Sequence, residues 1–435
     1  MKIHLKHYLL FTLIALISIN KSFAQDVNQK IGDLMSQQKM FELKEMHSEV
    51  KDEIVPFLSY FAEAMLCNAY NTPEKGIIAI DSLLNNSQYQ QQLGLHNISY
   101  LILLKSGFLK NLGRNKESVE MLESFLKQTK NQIQDKHLKR NLNLTLKTQK
   151  LLVEHSCTSM DRPNKKLSID YTIDKAGKGI SMNFKCKVNG KKTKMCIDTG
   201  CPEYTFVSEK FAKEHNIKTI MDSIPIGGIG SGYGKLGIAK SMEIGDITFH
   251  NPLFYVVDKI LPTDTIKLDA VLGSYLLDMI GELQFYPQKK KIVFPKEFTK
   301  LKKNESGNMI MKDRHLFVKL KQDSKDIIMH FDTGSAESNL GRHYYKKHKE
   351  YVEKKGMQDS LRLAGYNGIT RQLGYKMPKV HFNLNDTDFY IENMPVFTGE
   401  ALDKWGEDGY FGTDFVQKFD KFILSYKHMF IRVKR

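Results

Sequence analysis

The sequence predicts an α+β multidomain chain: an N-terminal α-helical, repeat-like domain followed by two all-β lobes. Three observations lead there. Apolar residues recur at three-to-four spacing as far as about residue 156, the period changes to two from Leu167, and the second pattern occurs twice, each time ending an apolar run in Asp-Thr-Gly. At 435 residues the chain exceeds one ordinary core, and its hydrophobic content of 41% is enough to build several.

Residues 1–24 read as a signal peptide. Lys2 and Lys6 precede the apolar run "YLLFTLIALISI", and Ser22-Phe23-Ala24 gives a small-x-small cleavage site, with cleavage expected after Ala24. The run of twelve residues is too short to span a bilayer as a helix, and no later segment has the length and apolarity of a span. No Cys follows the site, which argues against a lipid anchor. The expected mature protein is exported, periplasmic or secreted. Its net charge falls from +16 to +13 once Lys2, Lys6 and Lys21 leave. Because the basic residues are spread along the chain, they read as a solvated surface, and no nucleic-acid partner is expected.

Residues 25–158 form the expected helical domain. "FLSYFAEAMLCNAY" and "LHNISYLILLKSGFLKNLG" are each followed by a short turn and a second amphipathic run, "PEKGIIAIDSLLNN" and "RNKESVEMLESFLKQ". Pro73 suits a first helical turn. The paired helices resemble tetratricopeptide repeats, although their offset is nearer forty residues than thirty-four; a plain helical bundle is the alternative. Either arrangement reads as a spacer or a module for a protein partner, and an inhibitory prodomain fits the same position.

Polar "TSMDRPNKK" marks a linker, after which lobe 1 is expected over residues 159–300 and lobe 2 over 301–435. "ISMNFKCKV", Asn189-Gly190 and "KKTKMCI" form a strand, a favoured hairpin dipeptide and a returning strand. "GISMNFKCKVNGKKTKMCIDTG" is echoed by "RHLFVKLKQDSKDIIMHFDTG". Each Asp-Thr-Gly precedes an apolar stretch read as a short helix, then a glycine-rich segment with a tyrosine, Tyr233 in "GGIGSGYGKLG" and Tyr366 in "AGYNGITRQLG". Each copy closes on an apolar-apolar-Gly element, "DAVLGSYLL" and "DGYFGTDFV", at nearly equal distance from its aspartate. This is an internal duplication.

A carboxylate at the end of a buried strand is costly unless hydrogen-bonded, and a glycine two positions later lets the chain turn so that N–H groups face it. The intervening threonine supplies a hydroxyl able to tie one turn to its twin. If the lobes pack about a pseudo-twofold axis, Asp198 and Asp332 meet there and hold one proton between them. The ionised partner then serves as general base toward a water, and the protonated one donates to a carbonyl oxygen.

"MCIDTGCPEYTFV" with "DAVLGSYLL", and "IMHFDTGSAESNL" with "DGYFGTDFV", resemble the two halves of a bilobal aspartic protease built from retropepsin-like domains. Aspartic proteases are a known case of two carboxyls sharing one proton. The resemblance covers about residues 165–435. It implies two pepsin/retropepsin-like lobes, an extended peptide substrate between them, catalysis by Asp198 and Asp332, and loops braced by Thr199, Gly200, Thr333, Gly334 and Ser335. Tyr233 and Tyr366 become flap candidates; no cofactor or metal is implied. Cys201 departs from the usual Ala or Ser, which Ser335 keeps, and Gly273-Ser274-Tyr275 lacks the acid of Gly412-Thr413-Asp414.

Other motifs read as decoys. "GYGKLG" matches G-x-G-x-x-G but precedes strand-like sequence. "GRHYYKKHKEY", with His343 and His348, reads as a solvated basic helix and not as a metal site. Five cysteines form no framework, though two of Cys186, Cys196 and Cys201 are close enough in sequence to bridge. No Gly-x-Ser-x-Gly elbow occurs. The expected activity is an aspartic endopeptidase working as a monomer, because pairing within one chain avoids the entropy of association. The rival expectation is a catalytically silent peptide-binding or scaffolding protein of the same fold.

Overall fold

A computed structural model describes residues 23–176, 179–228, 230–261, 268–303, 305–366, 368–400 and 406–435. The expected signal peptide lies outside them apart from Phe23 and Ala24. Two compact units divide between Cys157 and Thr158.

The first unit is helical: α1 (Phe23–Ser36), α2 (Met40–Val50), α3 (Pro56–Ala69), α4 (Pro73–Leu84), α5 (Ser87–Asn111), α6 (Asn115–Gln128) and α7 (Lys136–Glu154). Proline opens α3 and α4, where its missing N–H costs nothing. Asn86 caps α5 by accepting from the amides of Gln88 and Tyr89, and Asp135 caps α7 through His137 and Leu138. Gly94, at φ 67° and ψ 164°, breaks α5, so the helix expected from Leu95 starts on its own. The turns α3–α4 and α5–α6 each place a left-handed residue at their centre, Asn71 at φ 53° and Gly113 at φ 70°. Helix α4 touches α5 through Gly76, where any Cβ would run into the Phe108 ring. A buried polar knot joins α5, α6 and α7: Asn115 donates to Gln149 at 2.8 Å, and Ser106 meets Ser118 at 2.7 Å and Gln149 at 3.2 Å. Among the described residues no helix is long and apolar enough to cross a membrane.

The second unit is β-rich. Its first half holds β1 (Ser159–Asp161), β2 (Leu167–Ala176), β3 (Gly179–Val188), β4 (Lys191–Ile197), β5 (Thr205–Ser208), α8 (Glu209–Glu214), β6 (Lys218–Gly227), β7 (Ser231–Ile238), β8 (Ser241–Ile244), β9 (Ile247–His250), β10 (Leu253–Val257), β11 (Ala270–Leu272), α9 (Ser274–Ile280), β12 (Glu282–Tyr286) and β13 (Lys291–Phe294). The second half holds β14 (Met309–Lys312), β15 (His315–Gln322), β16 (Lys325–Phe331), β17 (Asn339–Leu340), α10 (Arg342–Lys347), α11 (Lys349–Lys355), β18 (Met357–Gly365), β19 (Gly368–Leu384), β20 (Thr387–Phe397), β21 (Gly409–Phe411), α12 (Thr413–Val416), β22 (Lys421–Ser425) and β23 (Phe430–Lys434).

Both halves run in the same order. The path β3-β4-β11-β5-β10-β7-β6 is matched by β15-β16-β21-β17-β20-β19-β18. The parallel contacts agree as well: β4 with β11 and β5 with β10, β16 with β21 and β17 with β20. Asn189 at φ 49° and Gly190 at φ 78° make the tight turn that the sequence predicts between β3 and β4.

One local expectation changes. The apolar stretch after Asp198-Thr199-Gly200 is strand β5, with helix α8 following it, because Phe206 and Val207 are needed between β10 and β11. The G-x-G-x-x-G run, residues 232–237, lies inside β7, while the basic stretch from Arg342 is helical, as α10 and α11.

The halves share a sheet. Strand β12 pairs antiparallel with β22, Leu283 opposite Leu424 and Phe285 opposite Phe422, so hairpins β12–β13 and β22–β23 meet inner strand to inner strand. Beneath this seam lies a phenylalanine cluster of Phe285, Phe331, Phe411, Phe415, Phe419 and Phe422.

Candidate active site

Asp198 directly follows β4 and Asp332 directly follows β16. Each is anchored alike: the Asp198 amide donates to the Leu272 carbonyl of β11 at 3.1 Å, and the Asp332 amide to the Phe411 carbonyl of β21 at 2.9 Å. The chain then turns back on its own carboxylate. Cys201 N–H donates to Asp198 Oδ1 at 3.0 Å; Gly334 and Ser335 donate to Asp332 Oδ1 at 2.9 and 3.2 Å. Gly200 and Gly334 serve a further purpose. A Cβ on Gly200 would collide with the Asp332 carboxylate, and one on Gly334 with that of Asp198, so each turn lies against the carboxyl of the other half.

Two threonines lock the turns together. Thr199 Oγ1 accepts from the Thr333 amide at 3.0 Å and donates to the Phe331 carbonyl at 2.9 Å. Thr333 Oγ1 accepts from the Thr199 amide at 3.1 Å and donates to the Ile197 carbonyl at 2.9 Å. Both side chains are buried. A valine is nearly the same shape but could neither accept nor donate, which explains why this place needs a hydroxyl.

A second pair of hydroxyls, not singled out from the sequence, supports the first. Ser274 Oγ donates to the Thr199 carbonyl at 3.0 Å, and Thr413 Oγ1 to the Thr333 carbonyl at 2.8 Å. Their amides hold the carbonyls of Cys201 and Ser335 at 2.8 and 2.9 Å. Gly273 and Gly412, just before them, lie on loop backbone that leaves no space for a side chain. The only trace of them in the sequence is a Gly followed by Ser or Thr at nearly equal distance from each aspartate, a pattern too ordinary to mark them by itself.

The carboxyl groups of Asp198 and Asp332 are in hydrogen-bond contact. Burial, and then the neighbouring Asp332 charge, hold Asp198 well above the usual carboxylate range. Burial raises Asp332 too, but the bond from Asp198 and the N–H groups of Gly334, Ser335 and Gly200 oppose that rise. With more donors, Asp332 is the better anion and Asp198 keeps the proton.

The two sequence departures have local explanations. Cys201 is buried and its thiol donates to the Tyr204 carbonyl at 3.1 Å; burial and the two aspartates push its pKa well up. It fills space as a small thiol. All five cysteines are free. Strand register sets Cys186 opposite Thr193 and Cys196 opposite Asn183, so the bridge that the sequence left open does not form. In the second half Asp414 accepts from the amide and hydroxyl of Ser338 at 2.8 and 2.7 Å. In the first half Tyr275 and Tyr204 hold the corresponding places and pack edge to face at 5.6 Å. Where the second half holds an acid–hydroxyl pair, the first holds an aromatic pair.

Arg314, in the turn between β14 and β15, reaches the first half. It donates to the Pro202 carbonyl at 3.2 Å and pairs with Asp278 at 3.1 Å. Nothing in the local sequence marks this residue.

The tyrosines chosen as flap candidates occupy different places. Register aligns Gly234 of β7 with Gly374 of β19, which makes Leu373 the counterpart of Tyr233. Both are outward-facing, 69% and 65% exposed. Tyr366 instead sits at the tip of hairpin β18–β19, half-buried, with its carbonyl accepting from Gly230 N–H at 3.0 Å. The structure therefore brings Asp198, Asp332, Thr199, Thr333, Gly200, Gly334 and Ser335 together, joins Tyr366 to the tip of the opposite hairpin, and leaves Tyr233 on the outer face.

Residues 184–276 match the family model described as aspartyl protease. No curated protein matches the sequence. Among solved structures the chain is similar to a retropepsin-like aspartic protease from Rickettsia conorii, with 18% identity, 31% of this chain and 91% of that one covered, and a TM-score of 0.22. It is also similar to basic 7S globulin from soybean, with 8% identity, coverage of 62% and 95%, and a TM-score of 0.40. Conglutin gamma, a basic 7S globulin from lupine seeds, gives 11%, coverage of 60% and 92%, and 0.37. The family match, spanning the Asp198 loop and the strands that hold it, supports an aspartic protease-type fold for residues 184–276.

Proposed function

We propose that this chain is an exported aspartic endopeptidase whose two halves arose by internal duplication and whose single active site is the Asp198/Asp332 pair. The observation that carries the reading is the reciprocal exchange of Thr199 and Thr333, which holds two carboxyl groups in hydrogen-bond contact. Such an arrangement is costly for a fold that gains nothing from it, since each carboxyl is desolvated beside a like group.

The reaction follows from the asymmetry of the pair. A water between the carboxyls gives a proton to Asp332 as its oxygen attacks the peptide carbonyl carbon. Asp198 gives its proton to the carbonyl oxygen, producing a neutral tetrahedral diol. Asp332 then protonates the amide nitrogen, the C–N bond breaks, and a diol proton returns to Asp198. An acid and an amine leave, and no covalent enzyme intermediate forms. The hairpins β6–β7 and β18–β19 act as flaps over an extended peptide, and one chain suffices. The helical unit, tetratricopeptide-like in its paired helices, serves as spacer or protein-partner module.

Purified protein incubated with a peptide library across pH 3 to 8 tests the reading. Wild type is expected to cleave, and Asp198→Asn and Asp332→Asn each to lose about 10²–10⁴-fold or more. Equal product from wild type and both variants, or none from any, favours the silent peptide-binding alternative.

A further inference from the structure

The two halves carry different side chains at matching positions. Because Leu272 and Phe411 anchor Asp198 and Asp332, Val271 matches Tyr410. Pairing outward from there matches Phe206 with Asn339 and Val257 with Phe397. Alignment of Gly234 with Gly374 matches Ile226 with Leu361. In the second half Leu361, Phe397 and Tyr410 close on one another, with Leu363 against them. In the first, two valines stand where those large rings would be; Phe206, Tyr255, Leu261 and Leu268 of the same half pack against the apolar cluster of Ile226, Val257, Ile260 and Val271, and with them a ring from the other half, that of Tyr366.

The hairpin that delivers this ring is the longer one. Beyond the matched pair Leu361–Gln372 four more pairs follow, from Arg362–Arg371 to Gly365–Gly368, whereas beyond Ile226–Gly232 there is only Gly227–Ser231. Its tip is seated closely. A Cβ on Gly228 would lie 2.8 Å from the Tyr366 Cβ, and the Tyr366 ring meets Phe206 edge to face at 5.7 Å.

We propose that this first-half pocket is a recognition site for an aromatic side chain of a bound peptide, and that Tyr366 is its resident occupant, displaced when the peptide enters. The counterpart in the second half, filled by Phe397 and Tyr410 and carrying Asn339 in place of Phe206, takes a small side chain. The bound peptide is thus read unequally on its two sides. The inference rests on the peptidase reading only for the chemical steps after binding. An occupant tethered within the same chain competes at high effective concentration, so it lowers the apparent affinity of every peptide that needs the pocket. A residue that merely covers bound peptide would have the opposite effect.

The test measures binding by fluorescence anisotropy on full-length Asp198→Asn protein, so that turnover does not interfere. The probes are a labelled Ala/Ser/Gly decapeptide with one central Phe and the same peptide with Ala at that position. The Phe peptide is expected to bind about tenfold tighter or more, one buried aromatic side chain being sufficient for this. Tyr366→Ala tightens it roughly three- to tenfold by removing the competitor. Tyr366→Phe, which keeps the ring, leaves it unchanged, and Val257→Phe, which installs the second-half residue, abolishes the preference. Equal binding of the two peptides, including none by either, or weaker binding by Tyr366→Ala, overturns the proposal. Absence of turnover in wild type with this binding pattern intact would instead sink the peptidase reading and leave the pocket assigned.

Discussion

At the scale of single residues, the proton held by Asp198 makes stability depend on pH in a defined direction. An ordinary unfolded aspartate loses its proton near pH 4, while burial and Asp332 raise the folded value well above that. Between those two values the folded chain binds more protons than the unfolded one, so stability is complete below about pH 4 and declines as pH rises through the raised value. The urea midpoint of wild type is expected to fall from pH 4 to pH 8 more steeply than that of Asp198→Asn; parallel curves would show that the pair holds no extra proton. The aspartates, threonines and turn glycines were legible because the tripeptide recurs at the end of two apolar runs. Ser274 and Thr413 were not, since a hydroxyl after glycine is ordinary by itself, and Arg314 was not, since its partners Pro202 and Asp278 are remote in sequence.

At the scale of elements, contact between α4 and α5 depends on the missing side chain of Gly76. Gly76→Ala raises intrinsic helix propensity yet drives a methyl into the Phe108 ring. Overpacking of this kind costs about 1–3 kcal/mol. Urea unfolding followed by circular dichroism is expected to show that loss, with partial recovery in Gly76→Ala/Phe108→Leu; a stabilised single variant would mean that the helices part freely. Helices were readable from three-to-four periodicity and their proline and glycine stops. Strand β5 was misread as helix because a short apolar run carries no period of its own, and only its neighbours β10 and β11 decide the matter. The tyrosines were misaligned for a related reason. A glycine-rich segment shows a hairpin but not its length, and the second hairpin is longer, so like residues in the two segments fall at unlike places.

At the scale of the whole β unit, the seam between β12 and β22 makes the halves one cooperative body. Phe422 is fully buried and packs against Phe285 of the first half and Phe331, the residue before Asp332. Phe422→Ala is expected to cost about 3–5 kcal/mol and Leu283→Ala about 2–5 kcal/mol. Each should lower the same unfolding transition of the β unit, whether read by fluorescence or by accessibility of the buried cysteines. Two separated transitions, one for each half, would contradict a shared sheet. Alternation announces that residues 282–286 and 421–425 are strands, but edge partners are chosen in space, so the division expected near residue 300 gave no sign that the sheet crosses it.

That crossing also sets an order of events during synthesis. Residues 282–286 leave the ribosome well before residues 421–425 exist, and through that interval β12 has an apolar edge with no strand beside it. An edge of this kind recruits other chains. Until the second half is present, the first is therefore open to pairing with another copy along β12.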